Sequence, residues 1–128
     1  MTTHRIAAIA AAAALAAVPA TPALARGGGS KAAQRSGSCS NGSTWKLKVK
    51  PDSGRLEVEF EVDQNRNGKR WDVTLRRNGS VAARGAATTH APSGSFSFNR
   101  RITGASGNKV SATATRGSAT CRGSVTAP

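Results

Sequence analysis

Acidic residues, cysteine, histidine and aromatic residues are all scarce in this chain of 128 residues. It has 6 aspartates and glutamates against 19 lysines and arginines, 2 cysteines, 2 histidines and no tyrosine. A catalytic site or a metal centre needs such residues in groups. Neither cysteine belongs to a CxxC pair, and His90 is the one histidine beyond residue 25. The sequence therefore predicts no metal site and no cofactor.

Motifs of nucleophilic and phosphate-binding enzymes are also missing. The chain has no GxSxG motif, and no glycine-rich loop stands between a strand and a helix. His90 lies in the segment THAPSG beside a proline, where a surface histidine is the simpler interpretation. The acids either alternate with apolar residues or lie in turns. We therefore expect a protein that is not an enzyme.

A long apolar run occurs once, at the beginning of the chain. Arg5 precedes the apolar residues 6–18, and the segment Ala-Leu-Ala at 23–25 has small residues at its first and last positions. This order is typical of a secretory signal peptide, so residues 1–25 are predicted to be cut off after Ala25 and the protein to be extracellular. A buried alanine-rich helix is the alternative interpretation.

The remaining sequence divides into a tail and one domain. Residues 26–38, RGGGSKAAQRSGS, are rich in glycine and serine and predict a flexible basic tail. Residues 39–128 are predicted to fold as a single domain. Two cysteines in an exported chain pair in most cases. Cys39 and Cys121 are therefore predicted to form a disulfide bond that joins the start of the domain to its end.

Between the cysteines, apolar and polar residues alternate with a period of two, which is typical of half-buried β-strands. The segments TWKLKVK and RLEVEFEVD are separated by the turn sequence PDSG. A four-residue turn would place Val49 opposite Leu56 and Lys48 opposite Glu57. This register pairs apolar residues inside and opposite charges outside, so the acids of the hairpin are predicted to be structural.

Five further alternating segments follow, namely WDVTLRR, SVAARGAATT, SFSFN, KVSATATR and SATCRGSVTA. For the apolar residues of both strands to share one face, the loop between the first two of these segments must have three residues. We therefore predict a loop over 77–79, with Gly79 left-handed in a bulge and Val81 opposite Leu75. All aromatic residues fall on the inward parity: Trp45, Phe60, Trp71, Phe96 and Phe98. Seven short strands without a helical period predict an all-β, seven-stranded antiparallel sandwich, with a small closed barrel as the alternative.

Residues 39 to about 125 resemble small secreted bacterial proteins with an immunoglobulin-like or fibronectin-type-III-like domain. The features that carry the resemblance are the WKLK hairpin, the NRNG turn before Trp71 and the final CRGSV. Trp71 on the third strand is similar to the core tryptophan of immunoglobulin sandwiches. The resemblance implies an immunoglobulin-like β-sandwich and no assigned activity.

The segment DQNRNGKRWD begins like a calcium-binding loop. Oxygen-bearing side chains stand two residues apart in it, at Asp63, Asn65 and Asn67. The closing ligand would be Thr74 in place of a glutamate, and three cations of the same segment would repel a dication. The segment therefore predicts a turn, in which Asp63 and Asn65 accept hydrogen bonds from backbone N–H groups and Asn67-Gly68 is left-handed.

The excess of cations is the feature that indicates a partner. The formal net charge of +13, one less without Arg5, favours anionic partners. The candidate anion-binding residues are Arg66, Lys69, Arg70, Arg76, Arg77 and Arg84. Because the aromatic residues point inward, we expect binding to be driven by charge and to be sensitive to salt, without base stacking.

Two functions remain open on this evidence. The first is a secreted, non-enzymatic binding or cell-envelope-associated domain whose partner is an extracellular protein or is unassigned, and whose charge keeps it in solution. The alternative is a cationic protein that binds an anionic polymer or surface, such as a wall polymer, nucleic acid or a membrane. Clustering of the cations on one face would favour the alternative, and an even spread would favour the first.

Overall fold

The computed structural model describes residues 31–128, and the predicted signal peptide lies outside this range. The described residues form eight β-strands: β1 (Ala33–Ser38), β2 (Thr44–Asp52), β3 (Arg55–Asp63), β4 (Arg70–Arg77), β5 (Ser80–Thr88), β6 (Ser95–Thr103), β7 (Lys109–Arg116) and β8 (Ala119–Thr126). They make two antiparallel sheets, with the order β1-β2-β3-β6 in sheet 1 and β5-β4-β7-β8 in sheet 2. None of residues 31–128 belongs to a helix that is long and apolar enough to cross a membrane.

The prediction of an all-β sandwich is confirmed, but the predicted number of seven strands is wrong. The additional strand is β1, which lies in the segment predicted to be a flexible tail and pairs with β2 from Ala33 opposite Val49 to Ser38 opposite Thr44. Its sequence AQRSGS lacks apolar alternation because β1 is an edge strand that buries little. Backbone hydrogen bonds to β2 therefore order these residues without a pattern of side chains that reveals them.

The hydrophobic core lies between the two sheets and is built from every second residue of the strands. Its largest fully buried side chains are Trp71, Phe60, Leu47, Leu56, Leu75, Val49, Val58, Val62, Val73 and Val110. The predicted inward parity is confirmed for Phe60, Trp71, Phe96 and Phe98, while Trp45 is half-buried at the border of the core. Each large apolar side chain removed from water contributes about 1.5–3 kcal/mol to folding.

The hairpin of β2 and β3 has the predicted parity but a register shifted by two residues. Val49 lies opposite Val58, and Lys48 lies opposite Glu59. The turn consists of two residues, Ser53 and Gly54, whose φ angles of 52° and 81° are both left-handed. A two-residue turn of this kind matches the twist of the strands, so pairing continues into the predicted four-residue turn and the strands end later than expected.

The hairpin of β4 and β5 also differs from the predicted loop. Its turn is the two-residue sequence Asn78-Gly79, with φ angles of 50° and 88°, and a bulge interrupts the pairing between Leu75 and Arg76. The bulge places Ala83, and not Val81, opposite Leu75. Val81 is 46% exposed, so its predicted inward position is wrong. The bulge restores the parity that the shorter turn would reverse, and Arg84 is exposed as predicted.

One side of the sandwich is closed where β1 meets β8. The predicted disulfide bond between Cys39 and Cys121 is present there. Next to it, the backbone N–H of Ser40 donates to the carbonyl of Thr120 at 2.9 Å, and the N–H of Thr120 donates to the Ser40 hydroxyl at 2.9 Å. The bridge therefore fixes β1 of sheet 1 to β8 of sheet 2.

Removing the disulfide should lower the free energy of unfolding by up to about 4–5 kcal/mol, because the bond closes a loop with a sequence separation of 82. The double variant Cys39→Ser, Cys121→Ser should therefore unfold at a lower urea concentration than the oxidised protein. The reduced wild-type protein is the matched control and should lose the same amount. Equal urea midpoints for the oxidised protein and the double variant would show that the bridge does not stabilise this fold.

Gly123→Ala should destabilise the fold by about 1–3 kcal/mol. A methyl group at this position would overlap the Cζ3 and Cη2 atoms of Trp45, whose ring packs against the core and also lies against Gly37. Thr126→Ala, at an exposed position of the same strand, is the control and should leave the thermal unfolding temperature almost unchanged. Equal unfolding temperatures for the two variants would contradict close packing at Gly123.

Candidate anion-binding surface

The outer face of sheet 1 carries opposite charges in matched columns. Its lysines on β2 lie opposite glutamates on β3, as Lys46 with Glu61, Lys48 with Glu59 and Lys50 with Glu57. The first of these pairs has an Nζ–Oε1 distance of 3.8 Å. Beyond β3, Arg101 on β6 forms an ion pair with Asp52. The acids of sheet 1 are thus structural partners of its cations, as the sequence predicts, although the pairs differ by the register shift.

The ionisation of Asp52 is perturbed by its neighbours. Hydrogen bonding with the Glu57 side chain, and next with Arg101, holds the pKa of Asp52 below its ordinary value of 3.8. A lowered pKa means that the folded state prefers the ionised carboxylate. The resulting stabilisation is present above the ordinary aspartate pKa and is lost as the pH falls through the pKa of the folded state. This carboxylate therefore acts in the hairpin and not as a proton donor near neutral pH.

The outer face of sheet 2 is basic. Its strands hold one acid, Asp72, and seven cations: Arg70, Arg76, Arg77, Arg84, Lys109, Arg116 and Arg122. Asp72 lies 3.8 Å from Arg70 in a solvent-exposed ion pair. The remaining cations therefore have almost no negative charge to compensate them within the sheet. Their summed positive potential attracts anions to this side of the molecule.

Strand pairing brings the cations of sheet 2 into rows with hydroxyl side chains. In one row, Thr74 lies opposite Arg84 on one side and opposite Thr113 on the other, and Thr113 lies opposite Arg122. In the next row, Arg76 lies opposite Ser111, which lies opposite Ser124. With strands about 4.8 Å apart, the Cα atoms of Arg84 and Arg122 are about 14 Å apart. We call the outward side chains of sheet 2 the basic face, and its central cations are Arg76, Arg84 and Arg122.

The predicted candidate residues do not all belong to this face. Arg76 and Arg84 lie at its centre, and Arg70 lies at its border beside Asp72. Arg77 instead has the inward parity at the end of β4, and its Nη1 donates to Asn108 Oδ1 at 3.5 Å. The Arg77 side chain is half-buried, and this contact links the end of β4 to the turn before β7. Arg77 is therefore a structural residue.

Arg66 and Lys69 lie apart from the basic face, in the loop between β3 and β4. The loop is fixed by Thr89, whose hydroxyl donates to the Arg66 carbonyl at 2.6 Å and accepts from the Lys69 N–H at 2.9 Å. Thr89 is only 1% exposed, so this contact is internal. The two cations are held on an ordered loop at one end of the sandwich, and they form a separate charge cluster.

The turn predicted for this loop is confirmed in part. The N–H of Asn65 donates to Asp63 Oδ1 at 3.0 Å, as expected of a side chain that supports a turn. The left-handed residues are Asn65 and Gly68, with φ angles of 59° and 74°, and Asn67 is not among them. The turn therefore bends at two separate points and not at the predicted Asn67-Gly68 pair.

Arg122 and Lys109 belong to the basic face but were not among the sequence candidates. Arg122 is the one cation of β8, and Lys109 and Arg116 stand at opposite ends of β7, so no local run of charge marks Arg122 or Lys109. These cations are recognised as a group only when the strands are paired. Arg122 then lies in the same row as Arg84, with Thr113 and Thr74 between them. Period-two parity places both residues outward, and the missing information is the strand order.

Within residues 31–128, no three His, Cys, Asp or Glu side chains come together in a way that could hold a metal ion. Comparison of the chain with models of protein families, with curated proteins and with solved structures finds no match. Evidence on function therefore comes from the geometry and the charge of the molecule itself.

Arg101→Gln should raise the pKa of Asp52 toward the ordinary value, because the variant loses a cation that favours the ionised carboxylate. The measurement is a pH titration of the Asp52 side-chain carboxyl followed by carbon NMR. Lys46→Gln is the control, since Lys46 pairs with Glu61 on another row, and it should leave the pKa of Asp52 where it is. An unchanged pKa in Arg101→Gln would show that Arg101 does not act on Asp52 in solution.

Proposed function

We propose that this protein is a secreted, non-enzymatic binding domain whose basic face binds an anionic polymer outside the cell. One observation carries the proposal: the strands of sheet 2 hold seven cations and one acid, whereas those of sheet 1 hold seven cations and five acids. The cations are therefore spread evenly over the two sheets, and it is the acids that collect on sheet 1, which leaves most of the net positive charge on sheet 2. This uneven net charge, and not a clustering of the cations themselves, supports the anionic-polymer alternative drawn from the sequence.

The spacing of the cations favours a polymer over a small anion. Arg84 and Arg122 stand on strands separated by two others, about 14 Å apart at the backbone, and Arg76 stands one row away. A single phosphate or carboxylate group cannot neutralise all three, whereas a chain with repeated charges reaches them together. Thr74, Thr113 and other hydroxyl groups of the face are suited to hydrogen bonds with anionic oxygens.

A wall polymer or similar extracellular chain suits this face better than a single-stranded nucleic acid. Proteins that bind single strands stack the bases on exposed aromatic rings. Here Phe60, Trp71, Phe96 and Phe98 are buried between the sheets, and no aromatic residue of the described chain lies at an outward position of sheet 2. Recognition by charge and hydroxyl groups alone therefore supports a polymer whose anionic groups, and not bases, face the protein.

The proposal includes an immunoglobulin-like arrangement of the strands. In sheet 2 the order β5-β4-β7-β8 corresponds to the C′-C-F-G order of such domains, and β2-β3-β6 of sheet 1 corresponds to A-B-E. β1 is then an addition beside the first strand. Its disulfide bond to β8 joins two sheet edges and not the two sheet centres. Disulfide bonds persist in oxidising compartments, which supports secretion together with the predicted signal peptide.

The test removes equal charge from the two sheets. The variant Arg76→Gln, Arg84→Gln, Arg122→Gln lacks three cations of the basic face, and the matched control Lys46→Gln, Lys48→Gln, Lys50→Gln lacks three cations of sheet 1. Affinity for poly(glycerol phosphate) and for polygalacturonate is measured across a salt series. For the wild type, log affinity should fall linearly with log salt, and the slope should be smaller by about 2–3 in the arginine variant alone.

Equal weakening by both variants would contradict the proposal, because net charge and not the basic face would then govern binding. Absence of binding at low salt would also overturn it, and the charge would then serve solubility. Duplex DNA and anionic vesicles are measured in the same series. Tighter binding to either of them than to both polymers would assign the face to nucleic acid or to membranes.

A further inference from the structure

A groove opens beside the basic face, where the edge strand β1 of sheet 1 meets the edge strand β8 of sheet 2. It has a volume of about 460 Å³. Its side walls carry Arg35, Trp45, Lys109, Arg122, Ser111 and Ser124. We call it the edge groove. Its volume falls within the range of small-molecule sites, about 300–1,000 Å³.

The charge of the edge groove is positive without compensation. Its three cations come from three different strands, with Arg35 on β1, Lys109 on β7 and Arg122 on β8. None of the described residues that line it is acidic. Guanidinium and ammonium groups that converge on one concave site are suited to a carboxylate or a phosphate. Because Arg122 belongs to both surfaces, the edge groove is continuous with the basic face.

Trp45 gives the edge groove an apolar wall that the basic face lacks. Its indole is half-buried and packs against the core. It also lies against two glycines: a Cβ on Gly37 would be 2.9–3.0 Å from three bonded ring atoms, and a Cβ on Gly123 would overlap the ring itself. The nearest ring atoms differ, since Gly37 lies by the Nε1–Cε2–Cζ2 edge and Gly123 by Cζ3 and Cη2. Side chains are excluded there, so the indole fits between the two strands and still borders the groove.

These contacts decide which anionic ligand fits. A nucleobase stacks on an open aromatic face, whereas Gly37 and Gly123 lie against parts of the Trp45 indole and reduce the ring area that borders the groove. A sugar ring requires less, namely an apolar patch for its C–H groups and hydrogen-bonding groups for its hydroxyls. Trp45 supplies the first, and Ser111 and Ser124 supply the second. The cations then require that the sugar carry an acidic group.

We propose that the edge groove binds one sugar unit that carries a carboxylate or a phosphate. This inference rests on the proposed function, in that the acidic sugar is a unit of the polymer that crosses the basic face. The edge groove then selects the polymer by its sugar, while the basic face holds it by charge. The two surfaces meet at Arg122.

The test follows the two indole N–H signals in a proton–nitrogen NMR spectrum of the oxidised protein. Trp71 is buried and its indole N–H donates to Gln64, so its signal is an internal reference. Trigalacturonate and glucose 6-phosphate, titrated separately, distinguish a carboxylate from a phosphate ligand. At least one should shift the Trp45 signal to saturation and leave that of Trp71 in place. Maltotriose, which is neutral, should shift neither.

Variants separate the edge groove from the basic face. Arg35→Gln and Lys109→Gln, both at exposed positions, should each weaken the acidic sugar about tenfold through the loss of one charge-assisted hydrogen bond. Arg84→Gln is the control, since Arg84 lies on the basic face away from the edge groove. It should leave the affinity for the acidic sugar unchanged and still weaken the polymer.

Three outcomes would overturn the inference: no shift of Trp45 with either acidic sugar, an equal shift with maltotriose, or a larger shift with a short oligothymidylate. If polymer binding depends on Arg76 and Arg84 but the indole N–H signal of Trp45 does not shift, the edge groove is not a sugar site and the proposed function still holds. A saturable shift of Trp45 by an acidic sugar, without any polymer binding at low salt, would reject the proposed function and keep the edge groove as a site for a free sugar acid.

Discussion

The pairing of β2 with β3 is the interaction on which both the core and the charge distribution depend. Its inward side chains, with Leu47 opposite Phe60 and Val49 opposite Val58, form much of the buried layer of sheet 1. Its outward side chains place lysines opposite glutamates. Five of the six acids of the chain lie on these two strands, so sheet 2 is left with one. A single hairpin thereby decides which face of the sandwich is neutral and which is basic.

The two open sides of the sandwich are closed by different chemistry. Where β1 meets β8, the disulfide bond and the indole of Trp45 join the sheets, and the edge groove lies beside them. Where β5 meets β6, the guanidinium of Arg100 stands 4.0 Å from the centre of the Phe98 ring, and Gly85 leaves room for both side chains. Arg100 therefore covers the core in a cation–π contact. The function of a cation in this protein follows from its neighbours and not from its charge alone.

Apart from β1 and from Val81 on β5, sequence periodicity predicted which side of the strands faces the core, but not how the strands align. A register shift of two residues keeps every side chain on its own face, so the alternation in β2 and β3 is equally consistent with Val49 opposite Leu56 or opposite Val58. The two-residue turns at Ser53-Gly54 and Asn78-Gly79 decide between such registers, and a bulge corrects the parity after the second. β1 was missed because backbone pairing, and not apolar burial, orders it. Arg122 was missed because its neighbours on the basic face are distant in sequence.

The basic face opposes the stability of the protein unless something binds there. Like charges held on one face repel each other, and the repulsion weakens the compact state. Sheet 1 shows that this chain can place a carboxylate opposite a cation in row after row, yet Arg84, Arg76 and Arg122 face threonine and serine in place of acids. Hydroxyl groups do not neutralise a guanidinium, but they leave it free to bind an external anion and contribute hydrogen bonds of their own. An anionic chain laid across the rows offsets the repulsion and, where it reaches the edge groove, meets Trp45 and the cations of three strands.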